Sequence, residues 1–276
     1  IRKYTESAAI EADILRDVNK ESAKRENSLC VAMFEDFEFD GHFCLVFESL
    51  GSSLYDYLKR NDYRPFPFEL VREFTKQMLQ AMEFLHRIKL IHTDLKPENV
   101  LAVTTESKEV DNGFGHTVSV PTVPQIKIID FGGSTYDDDD HKSSIVNTRQ
   151  YRAPEVILSL GWSTPSDLWS VGCIAVELYQ GELLFSTHNN TEHLALMERC
   201  LGAFPAELID RSKLRKRYFT TGGESRTECM PKDGQRHVKK MASLSEIVEK
   251  HASTGFGDLL RTLLTIDPAK RADAAS

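Results

Sequence analysis

The stretch His92-Thr93-Asp94-Leu95-Lys96-Pro97-Glu98-Asn99 constrains this chain more than any other. It places a carboxylate (Asp94), an ammonium (Lys96) and an amide oxygen (Asn99) close together, on a backbone that Pro97 keeps from propagating a simple helix. Phosphoryl transfer asks for such a set. A carboxylate orients the attacking hydroxyl and accepts its proton, a cation neutralises the γ-phosphate, and an amide oxygen helps to hold Mg2+. Asp130-Phe131-Gly132 follows the β-type run Ile126-Lys127-Ile128-Ile129, which puts a second hard oxygen ligand at a strand end. Either triplet alone is more often a chance match or a turn carboxylate.

The rest of the chain divides into a small part with strands and a larger helical part. Ala8, Ala9, Ala12 and Leu15 recur at helical spacing over 5–15. Val31–Phe34 and Phe43–Phe47 flank Asp40-Gly41, a dipeptide suited to a tight hairpin turn. Val71, Phe74, Met78, Met82 and Leu85 form one apolar stripe along a helix over 68–86. Thr164-Pro165-Ser166-Asp167 reads as a helix start, with a hydroxyl cap, proline in first position and an acid in the first turn. That helix is apolar nearly all round as far as Gly181, so it is expected inside the helical part. Residues 102–125 are polar and broken by glycine and proline, which suits a loop or hairpin insertion on the surface. Residues 211–240 read mostly as irregular surface. Their basic run Arg211–Arg217 is either a solvated face or a dock for acidic or phosphorylated substrate.

Charge narrows the partners. With 34 basic and 42 acidic side chains the net charge is -8, which argues against sequence-independent nucleic-acid binding and favours a basic partner. No run approaches the ~18 apolar residues of a membrane helix, so no membrane partner is expected. The cysteines at 30, 44, 173, 200 and 229 lack the close spacing of a metal or redox pair and read as thiols in a reducing compartment.

Asp94-x-Lys96-x-x-Asn99, Asp130-Phe131-Gly132, Ala153-Pro154-Glu155 and Asp167-x-Trp169-Ser170-x-Gly172 stand in an order that resembles the eukaryotic protein kinases from end to end. The resemblance implies a bilobal α+β fold. Residues 1–50 correspond to the remainder of a smaller N-terminal β lobe with its helix, strands and hinge, and residues 51–276 to a mainly helical lobe. The latter holds the catalytic loop, the insertion at 102–125 and an activation segment at 130–155. Thr148–Glu155 is similar to the group of cyclin-dependent, mitogen-activated and CDC-like kinases. His92-Thr93-Asp94 and Glu192–Arg199 resemble the LAMMER, or CDC-like, dual-specificity kinases, with Leu196 as a volume-conserving replacement of a methionine. The resemblance further implies ATP and Mg2+, transfer to Ser/Thr and also Tyr, Arg-Ser-rich splicing factors as substrates, a monomer, and a nuclear setting extending to the cytoplasm.

Carried over residue by residue, it makes Asp94 the base, Lys96 the cation, and Asn99 and Asp130 the metal ligands. Glu11 matches the helix glutamate that pairs with a strand lysine, Phe47 the gatekeeper, and Glu48 to Leu50 the hinge whose backbone holds adenine. Ser53 and Asp56 fall where ribose is contacted, Leu101 and Ile129 line the base pocket, and Glu98 belongs with the nucleotide side. Thr148 and Arg152 match the segment that shapes the substrate pocket, and Glu155 with Arg271 the ion pair that ties it down. Each has a plainer alternative: Glu11 one more exposed acid, Arg271 a solvated charge, Phe47 strand core in either case. His92 reads as packed scaffold, and Asp167 as a binder of backbone amides.

Three departures carry weight. Thr93 stands where many kinases use arginine to grip an activation-loop phosphate, and a threonine cannot form that charge-assisted pair. Asp137 to Asp140 already load the loop with negative charge, so the segment is expected to be held by packing and by Glu155 with Arg271. No glycine-rich loop or strand lysine precedes Glu11, and both ends stop in mid-element. The intact Asp94, Lys96, Asn99 and Asp130 favour a fragment of a complete kinase. The alternative is a catalytically impaired scaffold.

Overall fold

A computed structural model describes residues 2–24, 29–139 and 143–274. The first helix, α1 (Arg2–Ala23), outruns its expected end because Ile14, Leu15 and Val18 continue the buried stripe begun by Ala12. It packs on the hairpin of β1 (Met33–Phe39) and β2 (His42–Phe47), whose turn residues Asp40 and Gly41 have φ of 48° and 73°. Two successive left-handed residues match the twist of a two-residue hairpin. β1 starts at Met33 rather than Val31, because the Asn19 side chain takes the Val31 carbonyl and the Met33 amide, while the Val31 amide bonds Ile128 O. Phe47 is not strand core: at the end of β2 it keeps 37% of its surface exposed.

The larger part begins with α2 (Leu54–Arg60) and α3 (Phe68–Arg87). The α3 stripe, Val71, Phe74, Met78, Met82 and Leu85, is fully buried. It faces α5 (Pro165–Gln180), which is buried from Ser166 to Tyr179 and follows the short α4 (Pro154–Ile157). Gly181 ends α5 in the left-handed region at φ 86°, and a Cβ there would lie 2.0 Å from Tyr63 O, so only glycine fits. Thr164 does not cap α5: its own φ and ψ are helical and its side chain makes no cap hydrogen bond. The segment 192–199 lies on α6 (Asn190–Leu201), where His193 to Met197 are buried. It is a packing signature of the helical part.

The insertion folds as a hairpin of β5 (Ser107–Asp111) and β6 (Thr117–Pro121), after β3 (Leu90–Ile91) and β4 (Val100–Ala102). It is not wholly on the surface. β6 buries Val118, Ser119 and Val120, and the Asn61 side chain bonds both the amide and the carbonyl of Ser119. Residues 211–240 are irregular only in part. After α7 (Ala206–Arg211), α8 (Arg215–Tyr218) and α9 (Lys232–Lys240) are helical, and Tyr218, Phe219, Met230 and Val238 are buried under them. The five basic residues of the 211–217 run remain exposed. α10 (Leu244–Ile247) and α11 (Phe256–Leu263) close the fold, with Leu260 and Leu263 buried on the α5 side.

Candidate active site

Two short antiparallel pairs position the chemistry. β4 pairs with β7 (Ile126–Ile128), and β3 pairs with β8 (Thr135–Tyr136). The loop 92–99 leaves β3 and enters β4, while 129–134 leaves β7 and enters β8, so the two loops face each other. His92 joins them as scaffold: its Nε2 meets Ile129 O at 3.0 Å and its ring packs edge-on against Phe131. Asp167 accepts from the amides of His92 and Thr93 at 2.9 and 3.0 Å and from His86 Nε2 at 3.0 Å. A fully buried carboxylate is tolerable only with such partners. Burial pushes its pKa up, but His86 and the amides outweigh that and hold it below the ordinary carboxylate range.

Thr93 adopts φ 70° and donates its hydroxyl to Gly133 O at 2.7 Å. Its side chain thus bonds backbone of the activation segment where an arginine would reach for phosphate. The Asn147 amide and side chain both donate to Thr93 O at 2.9 Å, which ties the far end of that segment to the same residue.

Asp94 is the hub. Its Oδ2 accepts from Lys96 Nζ at 2.6 Å, and its Oδ1 from the Thr148 amide at 2.9 Å and hydroxyl at 2.6 Å. Burial opposes the charge on Lys96, yet the hydrogen bond and charge of Asp94 win and raise its pKa. Asn99 Nδ2 donates to Asp94 O at 2.9 Å and to Asp130 Oδ2 at 3.3 Å. Asp130 sits at φ 66°, a backbone strain of the kind that collects at working sites. Asn99 and Asp130 thereby stand side by side, an amide next to a carboxylate. Among the described residues no group of three His, Cys, Asp or Glu gathers to hold an ion. That donor set fits Mg2+, which binds through one or two protein oxygens and takes its other ligands from water and phosphate.

Glu11 reaches this turn from α1. Its carboxylate accepts from the Phe131 amide, while burial and then the charge of Asp130 push its pKa up. Glu48 pairs its amide with Ala32 O, and its carboxylate accepts from the Ala32 amide and Lys127, so this side chain fastens the hinge. Ser53 and Asp56 bond each other in a capping box that starts α2. Leu101 bridges Ser53, and Leu101, Ile129 and Leu50 are half-buried.

Glu98 turns its side chain elsewhere. With Tyr55, Thr148, Tyr151, Glu177 and Lys240 it lines an open cavity of about 790 Å3, on the side of the activation segment. Glu177 is buried there, accepts from Tyr151 Oη at 2.7 Å, and has its pKa raised by desolvation to about 7. Arg152 donates to Val146 O and Asn147 O at 2.8 and 2.7 Å. Glu155 and Arg271 form a two-pronged pair at 2.8 and 2.9 Å, both buried. Asp140 lies outside the described residues.

Sequence reasoning passed over His86, Asn147 and Glu177 as site residues. Only Glu177 carries a local signal, as a carboxylate in the interior of a helix that is apolar around it and buried.

A protein kinase domain model matches residues 2–276. The serine/threonine-protein kinase AFC1 of Arabidopsis thaliana is 43% identical over 98% of this chain and 61% of its own length. The dual specificity protein kinase CLK2 of Homo sapiens is 41% identical over 98% of this chain and 54% of its own. The chain therefore spans between half and two thirds of these relatives. A crystal structure of a kinase domain matches with a TM-score of 0.91 at 38% identity, covering 100% of this chain and 82% of that one.

Proposed function

This chain belongs to the protein kinases, beside the CDC-like members, and from that premise we propose that its protein phosphorylates Ser, Thr and Tyr hydroxyls of basic proteins with Mg-ATP. The observation that carries the proposal is the joint placement of Asp94, Lys96 and Thr148 on one side of Asn99 and of Asp130 on the other. Asp94 orients the substrate hydroxyl and accepts its proton, exchanging the Thr148 hydroxyl for that of the substrate at Oδ1. Lys96, charged and 2.6 Å from Asp94, faces the transferred phosphoryl group. Asn99 and Asp130 would hold Mg2+, which when bound neutralises charge on the phosphates. A scaffold without catalysis has no need of four intact groups in these relations.

Substrates rich in Arg-Ser repeats, as in splicing factors, fit the acidic wall formed by Glu98 and Glu177 beside Thr148. A guanidinium hydrogen-bonded by a carboxylate there is worth about 10-fold or more in affinity. Glu177 takes part fully only when ionised. Because desolvation raises its pKa to about 7, kcat/KM for an Arg-bearing peptide should rise between pH 6 and 8 relative to a peptide with that arginine replaced by alanine. Glu177→Gln should remove the difference between the two profiles. Parallel profiles in the wild type would take the arginine subsite away from Glu177. The same substrates support a nuclear setting.

The activation segment is held without phosphate, by Thr93 with Gly133, by Asn147 and by Glu155 with Arg271. The full-length protein, treated with phosphatase until mass spectrometry finds Ser143, Ser144 and Thr148 bare, should keep its activity within a few-fold. A hundredfold loss, approaching the scale of phosphate-switched kinases, would contradict this.

A further inference from the structure

On the kinase reading above, Glu11 has to be kept at the Asp130 turn. The Glu11 carboxylate accepts from the Phe131 amide, and its Oε2 lies 3.3 Å from where Gly132 would carry a Cβ. Toward the hairpin, α1 is fastened by Asn19 at Val31 and Met33, and by Arg16 with Asp36 at 2.6 Å. Toward the activation segment there is a second tie, six residues along from Glu11: Tyr136 Oη donates to Asp17 Oδ2 at 2.8 Å. Burial, then the bond to Asp17, pushes the Tyr136 phenol up to about 12, so it stays a donor at physiological pH.

Tyr136 is a fixed point. It stands opposite Leu90 in the β3–β8 pair, the next amide bonds Lys89 O at 2.7 Å, and Ser163 Oγ donates to Asp137 Oδ1 at 2.8 Å. Glu11 and Asp17 lie about 9 Å apart along α1 and well separated around it. One tie to the activation segment lets the helix swivel, whereas two at different heights set its position and rotation together. We propose that Tyr136 is a positioning residue: through Asp17 it holds α1 so that Glu11 stays against the Asp130–Gly132 turn. The tie thus couples helix to activation segment with a neutral donor where phosphate-switched kinases use a charged group.

The test uses the full-length protein with Tyr136→Phe, Asp17→Ala, the double variant and Asp17→Asn. An exposed hydrogen bond of this type is worth about three- to tenfold. Tyr136→Phe should lower kcat/KM for ATP by that factor and leave KM for the peptide unchanged. Asp17→Ala should match it, the double variant should be no worse than either, and Asp17→Asn, which keeps an acceptor, should retain most activity. Amide exchange across 10–18 should quicken in Tyr136→Phe. Wild-type kcat/KM in Tyr136→Phe, multiplying single effects, or unchanged exchange would each overturn the proposal. A wild-type protein without kinase activity would instead defeat the reading it rests on, and the exchange measurement would still decide the tie.

Discussion

Asp94→Ala is expected to lower kcat about 10²–10⁴-fold while the protein stays folded, because it removes the carboxylate placed to take the hydroxyl proton. Lys96 and Thr148 both lose their partner in that variant, so the loss extends to the placement of the cation. Asp130→Asn should fall as far by a different route, since an amide in place of the carboxylate removes the net charge from the metal site. Its stability should not fall with its activity. The charge of Asp130 helps to raise the pKa of Glu11, so neutralising it relieves a like-charge contact. Circular dichroism and thermal melts check the fold, and steady-state kinetics check the loss. Near wild-type turnover in either variant would remove these residues from the mechanism.

Arg271→Ala is expected to destabilise the protein by about 3–5 kcal/mol, the cost of leaving one partner of a buried ion pair uncompensated. The Arg271 guanidinium bonds both oxygens of Glu155, donates to Thr265 O and Pro165 O, and lies 5.1 Å from the Trp169 ring centre. Truncation strands all of these. At about 2–4 °C per kcal/mol for a chain of this size, the melting temperature should drop by roughly 6–20 °C. Arg271→Lys should recover only part, because an ammonium cannot reproduce the fork. Lys89→Ala is the contrasting case. Its partner Asp138 is 3.8 Å away and both side chains are 69% exposed, so the change should stay within about 0.5 kcal/mol. Equal effects of Arg271→Ala and Lys89→Ala would show that Glu155 is satisfied some other way.

Local patterns were the legible part of this chain. The loop 92–99 could be read because its three chemical groups are neighbours in sequence, and the α3 and α5 helices because their apolar periodicity is long and strong. The Asp40-Gly41 turn was legible because few dipeptides tolerate two left-handed residues. Glu155 with Arg271, 116 residues apart, was reachable only through family resemblance. Residue type misled where tertiary contact decided the outcome. Thr164 looks like a cap, yet its backbone is already helical. Phe47 looks like core but ends β2 with 37% of its surface exposed. The polar hairpin at 107–121 has a buried inner strand because Asn61 satisfies the backbone of Ser119, an arrangement no periodicity announces. Glu98 parted from the nucleotide-side residues for a similar reason: Pro97–Asn99 form a tight turn that aims its side chain toward Tyr151 and Glu177. Positive φ at Thr93 and Asp130 is equally invisible in sequence, since neither residue is glycine.

Phosphate transfer itself is the most direct measurement. The full-length protein, incubated with Mg2+, γ-labelled ATP and an Arg-Ser repeat peptide, should yield phosphoserine identified by mass spectrometry, and Asp130→Asn should yield almost none. Label on the peptide no greater for the wild type than for Asp130→Asn would contradict the account.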